Sequence, residues 1–359
     1  METKLVKLGD IISLNYGKSL TKKNRIPGDV PVYGSSGITD YHDKPLVDAP
    51  SLIIGRKGSI GSVFLSEVPF YPIDTTYFAK ESDLNGLDLH FAYYFLKFLP
   101  LSEMNTDSAI PGLNRNNFYS LDVVIPDIKS QKIIAFLLDQ ISYKIKINQQ
   151  INKNLLRLAK QQFNLTFPNV HEGNSRLSNV MENFDRKRIP LARREREKRQ
   201  GVYRYVGATS VLDYVDDYLF DGTYLLMGED GTVQDEKGFP ILQYIWGKFW
   251  PNNHTHVLSG TFVSTEWLYL FLMNTNVRSR ITGAVQQKIS QANMNSIPLT
   301  IPSKDELFRF QKQIEPVFSQ IQLLDEQNLK LTAIHKLLLP KLLAGQIDLS
   351  NLEGAIQNA

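Results

Sequence analysis

Near the end of the chain, apolar side chains recur in alternating steps of three and four: Ile314, Val317, Ile321, Leu324, Leu331 and Leu338. Asn328 and His335 fill the remaining positions of this seam. The spacing keeps one stripe on one helix face and predicts a coiled-coil helix. The pattern recurs 180 residues earlier as Ile134, Leu137, Ile141, Lys144, Ile151 and Leu158, with Asn148 and Leu155 at the positions of Asn328 and His335. Both helices thus carry an asparagine in mid-seam. An antiparallel pair about a pseudo-twofold axis would bring Asn148 and Asn328 together, and a hydrogen bond there would fix register at some cost in stability. Pairing is predicted through Ile134, Ile141, Asn148 and Ile151 of the first helix and Ile314, Ile321, Asn328 and Leu331 of the second. A run of roughly 36 residues extends ~54 Å, longer than a domain of ordinary size, which counts against each helix packing separately on its own domain.

Ahead of each helix the period changes. Asp29 to Gly34, Ser51 to Gly55, Gly61 to Leu65 and Thr76 to Ala79 are β-rich runs bounded by Gly, Pro and Asp, and Leu89 to Leu99 reads as a buried helix ended by Pro100. Later, Gly201 to Val206 and Gly222 to Met227 read as strands, and Glu266 to Leu272 as the matching helix. The blocks correspond in order. Leu8-Gly9-Asp10-Ile11 returns as Leu177-Ser178-Asn179-Val180, Tyr33-Gly34-Ser35-Ser36 as Tyr205-Val206-Gly207-Ala208, and the segment around Gly55 as that around Gly228. Val123 to Pro126 returns as Pro298 to Pro302, and Gln131-Lys132 as Gln311-Lys312. The offset grows from 169 at Leu8 to 173 at Gly55 and 180 at Gln131, as loop insertions in a duplicated unit would make it.

The expected fold is therefore α+β: two similar globular domains separated by two long helices that form an antiparallel coiled coil, with a pseudo-twofold internal repeat. The expected boundaries are a first domain at 1–127, a first helix at 128–165, a second domain at 166–302, a second helix at 303–345 and a tail at 346–359.

Composition removes several classes of function. With 42% hydrophobic and 21% charged residues, 359 residues can bury two ordinary cores. No cysteine is present, which excludes disulfides and thiolate metal sites. Among the histidines, His254-Thr255-His256 comes nearest to a ligand pair, but alternation along a strand would point both rings one way without any metal. No metal is expected. The N-terminus has no basic start followed by an apolar run, and no stretch of about 18 apolar residues occurs, so the expectation is a cytoplasmic protein with no membrane partner.

A net charge of +3 conceals an uneven distribution. Arg186, Lys187, Arg188, Arg193, Arg194, Arg196, Lys198 and Arg199 face only Glu195 and Glu197 within 14 residues. At the corresponding place in the first copy, Lys18, Lys22, Lys23 and Arg25 lie in a stretch with no acid. One such run would read as a solvated loop; its recurrence suits phosphate neutralisation, which releases counterions and makes binding salt dependent.

These features together resemble the specificity subunits of type I restriction-modification systems. The resemblance is carried by Leu8-Gly9-Asp10-Ile11, Val32 to Gly37, Ile53-Ile54-Gly55-Arg56-Lys57-Gly58-Ser59-Ile60-Gly61, the Ile110-Pro111-Gly112-Leu113-Asn114 approach to Val124-Ile125-Pro126, Gln131-Lys132-Ile133-Ile134, and the closing Leu337 to Ile347. It covers essentially the whole chain. It implies two target-recognition domains, each reading one part of a split, asymmetric double-stranded DNA target. It also implies helices that set the gap and dock two methyltransferase subunits, with a motor-nuclease subunit joining for restriction. S-adenosylmethionine and ATP with Mg would sit on those partners and no cofactor on this chain.

Candidate DNA contacts in the first copy are Lys22, Lys23, Arg25, Ser35, Ser36, Arg56, Lys57, Ser59, Asn114, Arg115 and Asn116. In the second they are Arg193, Arg194, Arg196, Lys288, Gln291 and Asn293. Arg56 and Lys57 lie between glycines, which lets backbone and long donors approach a groove; Arg can grip guanine, and Asn or Gln adenine, in bidentate fashion. The asparagines and serines could equally cap turns. The second copy departs from the pattern where Gly228-Glu229-Asp230-Gly231 replaces Gly55-Arg56-Lys57-Gly58.

Catalytic readings find less support. The chain has no Gly-x-x-x-x-Gly-Lys-Ser/Thr loop and no Asn-Pro-Pro-aromatic run. Asp235-Glu236-Lys237 with Asp221 upstream could mimic a metal-dependent nuclease, but Gly231 to Gly238 reads as a charged hairpin turn. The chain is expected not to be an enzyme. The remaining alternative is a coiled-coil adaptor that binds proteins without a DNA readout of its own.

Overall fold

The structure, a computed structural model, describes residues 1–104, 112–283 and 286–349. Ile110 and Pro111 of the motif preceding the last strand of the first copy lie outside the described residues, as does the tail beyond 349. The chain divides into two compact units, Met1–Ile147 with Asn328–Ala359, and Asn148–Gln327. Each contains one globular block and part of both long helices, Ile128–Thr166 and Lys304–Leu343.

In the first unit, an antiparallel sheet has the order Asn15–Tyr16, Thr76–Lys80, Ser51–Gly55, Val63–Ser66. A smaller sheet places Val30–Gly34 between Gly37–His42 and Tyr71–Pro72, the last in parallel pairing. Ser51–Gly55 is buried along its whole length because both its faces are covered. Leu52 and Ile54 pack into the core with Phe91 and Phe95 of the helix Leu89–Phe98, while Ile53 packs with Tyr33, Val47, Phe70 and Phe78 on the other side. Alternation of side chains along the strand turns an unbroken apolar run into two core contributions.

Two motif residues find their reason in this packing. A Cβ on Gly9 would stand 2.7 Å from Tyr119 Cβ, so the Leu8–Ile11 turn can rest on the helix Arg115–Ser120 only without a side chain there. Gln131 is fully buried; its amide donates to Pro126 O (2.9 Å) and Gly86 O (3.2 Å) and accepts from Asp88 N–H (2.8 Å). One side chain thus ties the last strand and the start of the helix Leu89–Phe98 to the first long helix, and burial leaves none of its main bonds to water.

The second unit repeats this plan. Its sheet runs Met181–Asn183, Thr255–Gly260, Tyr224–Gly228, Leu242–Ile245, and Gln200–Val206 again pairs in parallel, with Lys248–Pro251. Leu225 and Met227 join Trp267 and Phe271 of the helix Thr265–Leu272, while Leu226 joins Val206, Phe220 and Phe249.

Within this unit the two long helices run antiparallel, side by side. Asn148 Nδ2 donates to Gln327 Oε1 (2.7 Å), Asn152 Nδ2 to Asp325 Oδ1 (2.7 Å), and Gln162 Nε2 to Gln313 Oε1 (3.1 Å). Ile314 and Asn328 are buried, and Ile321 and Leu331 half-buried, as the second seam predicts. The first seam needs correction. Ile134 and Asn148 are buried and Ile141 half-buried, but Ile151 is 38% exposed, Leu158 56%, and Lys144 faces solvent. The inward face instead passes through Asn148, Asn152, Ala159 and Phe163. A straight helix drifts by ~20° per heptad from a 3.5-residue repeat, and Phe163 must also enter the core among Trp267 and Phe310. Packing on a globular core has displaced the strict seam. In the first unit, Leu339 and Leu342 share a core with Ile134 and Leu138. No helix among the described residues is long and apolar enough to cross a membrane.

Candidate nucleic-acid interface

In the first unit the predicted residues converge where the central strand ends. After Gly55 the chain folds tightly on itself, with Gly55 N–H donating to Ser62 O (2.7 Å) and Gly61 N–H to Gly55 O (2.9 Å). Ser62 Oγ donates to Ser59 O at 2.9 Å and also to Ser35 O, which joins this loop to the hairpin turn Ser35-Ser36 between Val30–Gly34 and Gly37–His42. Lys57 bridges to Gly112, and Leu113 N–H donates to Arg56 O (2.8 Å), so the approach to Arg115 lies alongside.

The two arginines share an aromatic platform. Arg56 Cζ lies 4.9 Å from the centre of the Tyr16 ring and 5.7 Å from that of Tyr77. Arg115 Cζ lies 5.0 Å from Tyr16 and 5.8 Å from Tyr119. The rings are themselves anchored: Tyr77 hydroxyl donates to Leu113 O (3.1 Å), and Tyr119 hydroxyl accepts from Leu14 N–H (2.8 Å). Burial, reinforced by neighbouring Tyr16, raises the Tyr77 hydroxyl above its usual pKa, against the opposing effect of Arg56. Neither guanidinium has a carboxylate at ion-pair distance among the described residues, and Arg115 Nε is buried without a hydrogen-bond partner.

The other candidates divide by what holds them. Lys22 and Lys23 stand exposed on the turn Lys22–Asn24, whereas Arg25 is paired with Asp40 (2.9 Å) and holds that carboxyl below its usual pKa. Asn114 caps the helix Arg115–Ser120, its oxygen accepting from Asn116 N–H (2.8 Å) and Asn117 N–H (3.3 Å); the Asn116 side chain is exposed.

In the second unit much of the apparent positive charge is internally neutralised. Arg188 pairs with Glu229 (2.7 Å), Arg196 with Asp213 (3.2 Å), Arg199 with Asp216 (2.9 Å), and Arg193 with Glu197 (3.1 Å). Arg196 also donates to Leu191 O (2.8 Å) and lies over the Tyr205 ring, so its first task is to hold the helix Arg193–Lys198 against the sheet. Arg194 is exposed and has no ion pair among the described residues. Lys288 is paired with Glu229 (3.2 Å), Asn293 Nδ2 donates to Arg280 O (2.8 Å), and Gln291 is exposed at the start of the helix Gln291–Asn295.

The place of Arg56 is taken by Glu229, which enters a network with Asp185, Arg188, His256 and Lys288. His256 is buried, with Nδ1 2.6 Å from Asp185 Oδ2 and Nε2 2.9 Å from Ile289 O. Burial works against the charges of Asp185 and Glu229. Hydrogen bonds from His256 and Val257 N–H to Asp185, and from Arg188 and Lys288 to Glu229, outweigh it and hold both carboxyls below their usual pKa. Asp185, Glu229 and His256 are close enough to share a cation, but both ring nitrogens face oxygen acceptors and two side-chain cations already serve Glu229. The histidine pair also parts company: His254 is exposed and bonds to Asp230. Asp235 accepts from Lys237 N–H and Phe239 N–H (both 2.9 Å), shaping a turn.

The type I restriction modification DNA specificity domain matches residues 1–157 and again 172–333. The chain belongs to this family. A Haemophilus influenzae protein described as a type I restriction enzyme specificity subunit is 36% identical over 103 residues, 28% of this chain and 26% of that protein. The EcoprrI specificity subunit of Escherichia coli is 29% identical over 146 residues, 39% of this chain and 36% of that protein. The matches therefore span about a quarter and about a third of these relatives. The S subunit of a type I system from M. genitalium shares the fold, at 16% identity and a TM-score of 0.59, with 95% of this chain and 96% of that one covered.

Arg56 and Arg115, both named from the sequence, come together on rings that the sequence did not single out: Tyr16 and Tyr77, brought side by side by strand pairing, and Tyr119, one turn along the helix from Arg115. Asp185 was not singled out, nor was its meeting with Glu229 and His256. The one available signal was the replacement of Arg56 by Glu229, a charge reversal that needs new partners.

Proposed function

We propose that this chain is the DNA specificity subunit of a type I restriction-modification complex. Each globular block reads one half of a bipartite, asymmetric target in double-stranded DNA. The paired helices set the unread gap and dock two methyltransferase subunits, and a motor-nuclease subunit joins for restriction. The chain contributes recognition and no catalysis; S-adenosylmethionine, ATP and Mg belong to the partners.

The observation that carries this reading is one scaffold used twice with different chemistry at the same station. Arg56 and Glu229 each follow the closing glycine of the central strand, and each accepts an N–H bond on its carbonyl, from Leu113 and Ile289. A pair of readers for two unlike half-sites needs constant architecture with divergent surface residues. A protein-binding adaptor has no use for unneutralised arginines on an aromatic platform.

Exchange of residues 8–126 for the corresponding block of another specificity subunit is the test, read by methylome sequencing of a host expressing the chain with its methyltransferase. One half of the methylated sequence should change and the other half and the gap persist. A change in both halves would refute one reader per block.

A further inference from the structure

We infer that Tyr16, Arg56 and Arg115 form a subsite for a DNA phosphodiester in the first unit, with Tyr16 positioning both guanidiniums. The inference rests on the DNA-reading function proposed above and specifies what one part of that surface binds.

Charge balance is the first argument. Both guanidiniums lie within 5.0 Å of the centre of one ring, and neither meets a carboxylate at ion-pair distance among the described residues. Arg56 meets neutral oxygens, Asp74 O at 3.3 Å and the Tyr77 hydroxyl, and Arg115 Nε is buried and unpartnered. Two permanent cations gathered on a neutral platform call for an external anion. The edge of a base, which offers acceptors but no net charge, would leave them uncompensated.

The second unit supplies the control. Its network stands at the same station: Tyr77 hydroxyl donates to Leu113 O in one unit, and His256 Nε2 faces Ile289 O in the other. There the chain provides its own counter-charges, with Asp185 and Glu229 against Arg188 and Lys288. Among the described residues the first unit offers nothing comparable, and the counter-charge is assigned to the ligand.

Tyr16 explains how the site stays organised without that ligand. Guanidiniums stack on aromatic faces, and stacking leaves the N–H edges free to donate while limiting the rotamer freedom lost on binding. Tyr16 is 45% exposed and lies on an edge strand paired with Tyr77. It is the ring common to both arginines.

The test uses the full chain with its methyltransferase subunits and two duplexes of equal length, one bearing the methylated target and one unrelated, titrated over a range of NaCl. Arg56→Gln and Arg115→Gln should each weaken binding to both duplexes by similar factors. Each should make the slope of log affinity against log salt shallower by about 0.9. Arg56→Lys, which keeps the charge and disturbs the fold least, should retain the slope. Tyr16→Leu should weaken binding to both duplexes, and Tyr16→Phe should restore it. Unchanged slopes for folded glutamine variants would overturn the phosphodiester assignment. So would a loss confined to the target duplex at constant slope, which would mark a base contact. If the unmodified chain failed to prefer its target, the specificity function itself would fall, while the slopes on the unrelated duplex would still judge the phosphodiester site.

Discussion

Arg56 and Glu229 hold equivalent places in the two repeats and carry opposite charge. Each opens the loop after the central strand, each bonds through its carbonyl to the segment entering the last helix of its block, and each faces an aromatic or imidazole side chain on the neighbouring strand, Tyr77 or His256. The side chains around each station match its charge. Arg188 and Lys288 neutralise the acid that stands in place of Arg56, and an imidazole with Asp185 stands where the first unit has Tyr77 with Tyr16. The scaffold tolerates this because its backbone bonds there do not depend on the side chains.

The network around Glu229 should give the second unit a marked acid sensitivity. Asp185 and Glu229 are held below their ordinary values of 3.8 and 4.5. The stability they contribute is therefore complete above about 4.5 and is lost as pH falls through their lower folded values. Glu229→Gln should cost about 1–3 kcal/mol at neutral pH, since it removes the carboxylate shared by Arg188 and Lys288 and leaves Arg188 only Asp185 as an acidic partner, and should flatten the acid limb. Urea unfolding of both chains from neutral pH to about 3 measures this; equal limbs would show that the network adds nothing.

Among the arginines of the helix Arg193–Lys198, function and stability should separate. Arg194→Gln should make the salt dependence of DNA binding shallower by up to about 0.9 with little change in thermal stability. Arg196→Gln should cost about 1–3 kcal/mol, through the lost bonds to Leu191 O and Asp213. Salt titrations and thermal melts of the two variants check the division.

The displaced seam predicts an inverted order of effects along the first long helix. Ile151→Ala and Leu158→Ala should each cost less than about 1 kcal/mol, as surface changes do. Asn152→Ala should cost about 1–3 kcal/mol by removing the amide that donates to the half-buried Asp325, and Phe163→Ala about 3–5 kcal/mol. Denaturant midpoints for the four variants would expose a strict heptad seam if the first two proved the costlier.

The gap-setting role proposed for the helices yields a geometric expectation. Matched insertions of four residues after Lys153 and after Ile321 keep the antiparallel partners in register, and one turn adds ~5.4 Å to the pair, between one and two base pairs at ~3.4 Å each. The unread gap should lengthen while both half-sites keep their sequences, as read by methylome sequencing. An active variant with the original gap would assign the spacing to the methyltransferase subunits.

What the sequence determined by itself was the periodic and the repeated. Ser51–Gly55, the helix Leu89–Phe98 and both long helices follow from local spacing, and the duplication follows from residue order, because both properties are written along the chain. What only the tertiary structure decided was which side chains meet. Near the eight cations between Arg186 and Arg199 the sequence sets only Glu195 and Glu197, yet Arg188, Arg196 and Arg199 also find acids, in other segments, that a linear count cannot place. Ile151 satisfies the heptad and still faces water, because a helix that must also seat Phe163 in a globular core rotates away from the 3.5-residue stripe. Tyr16 carries no local signal at all: antiparallel pairing of Asn15–Tyr16 with Thr76–Lys80 sets it beside Tyr77, and only that long-range register puts one ring under two arginines.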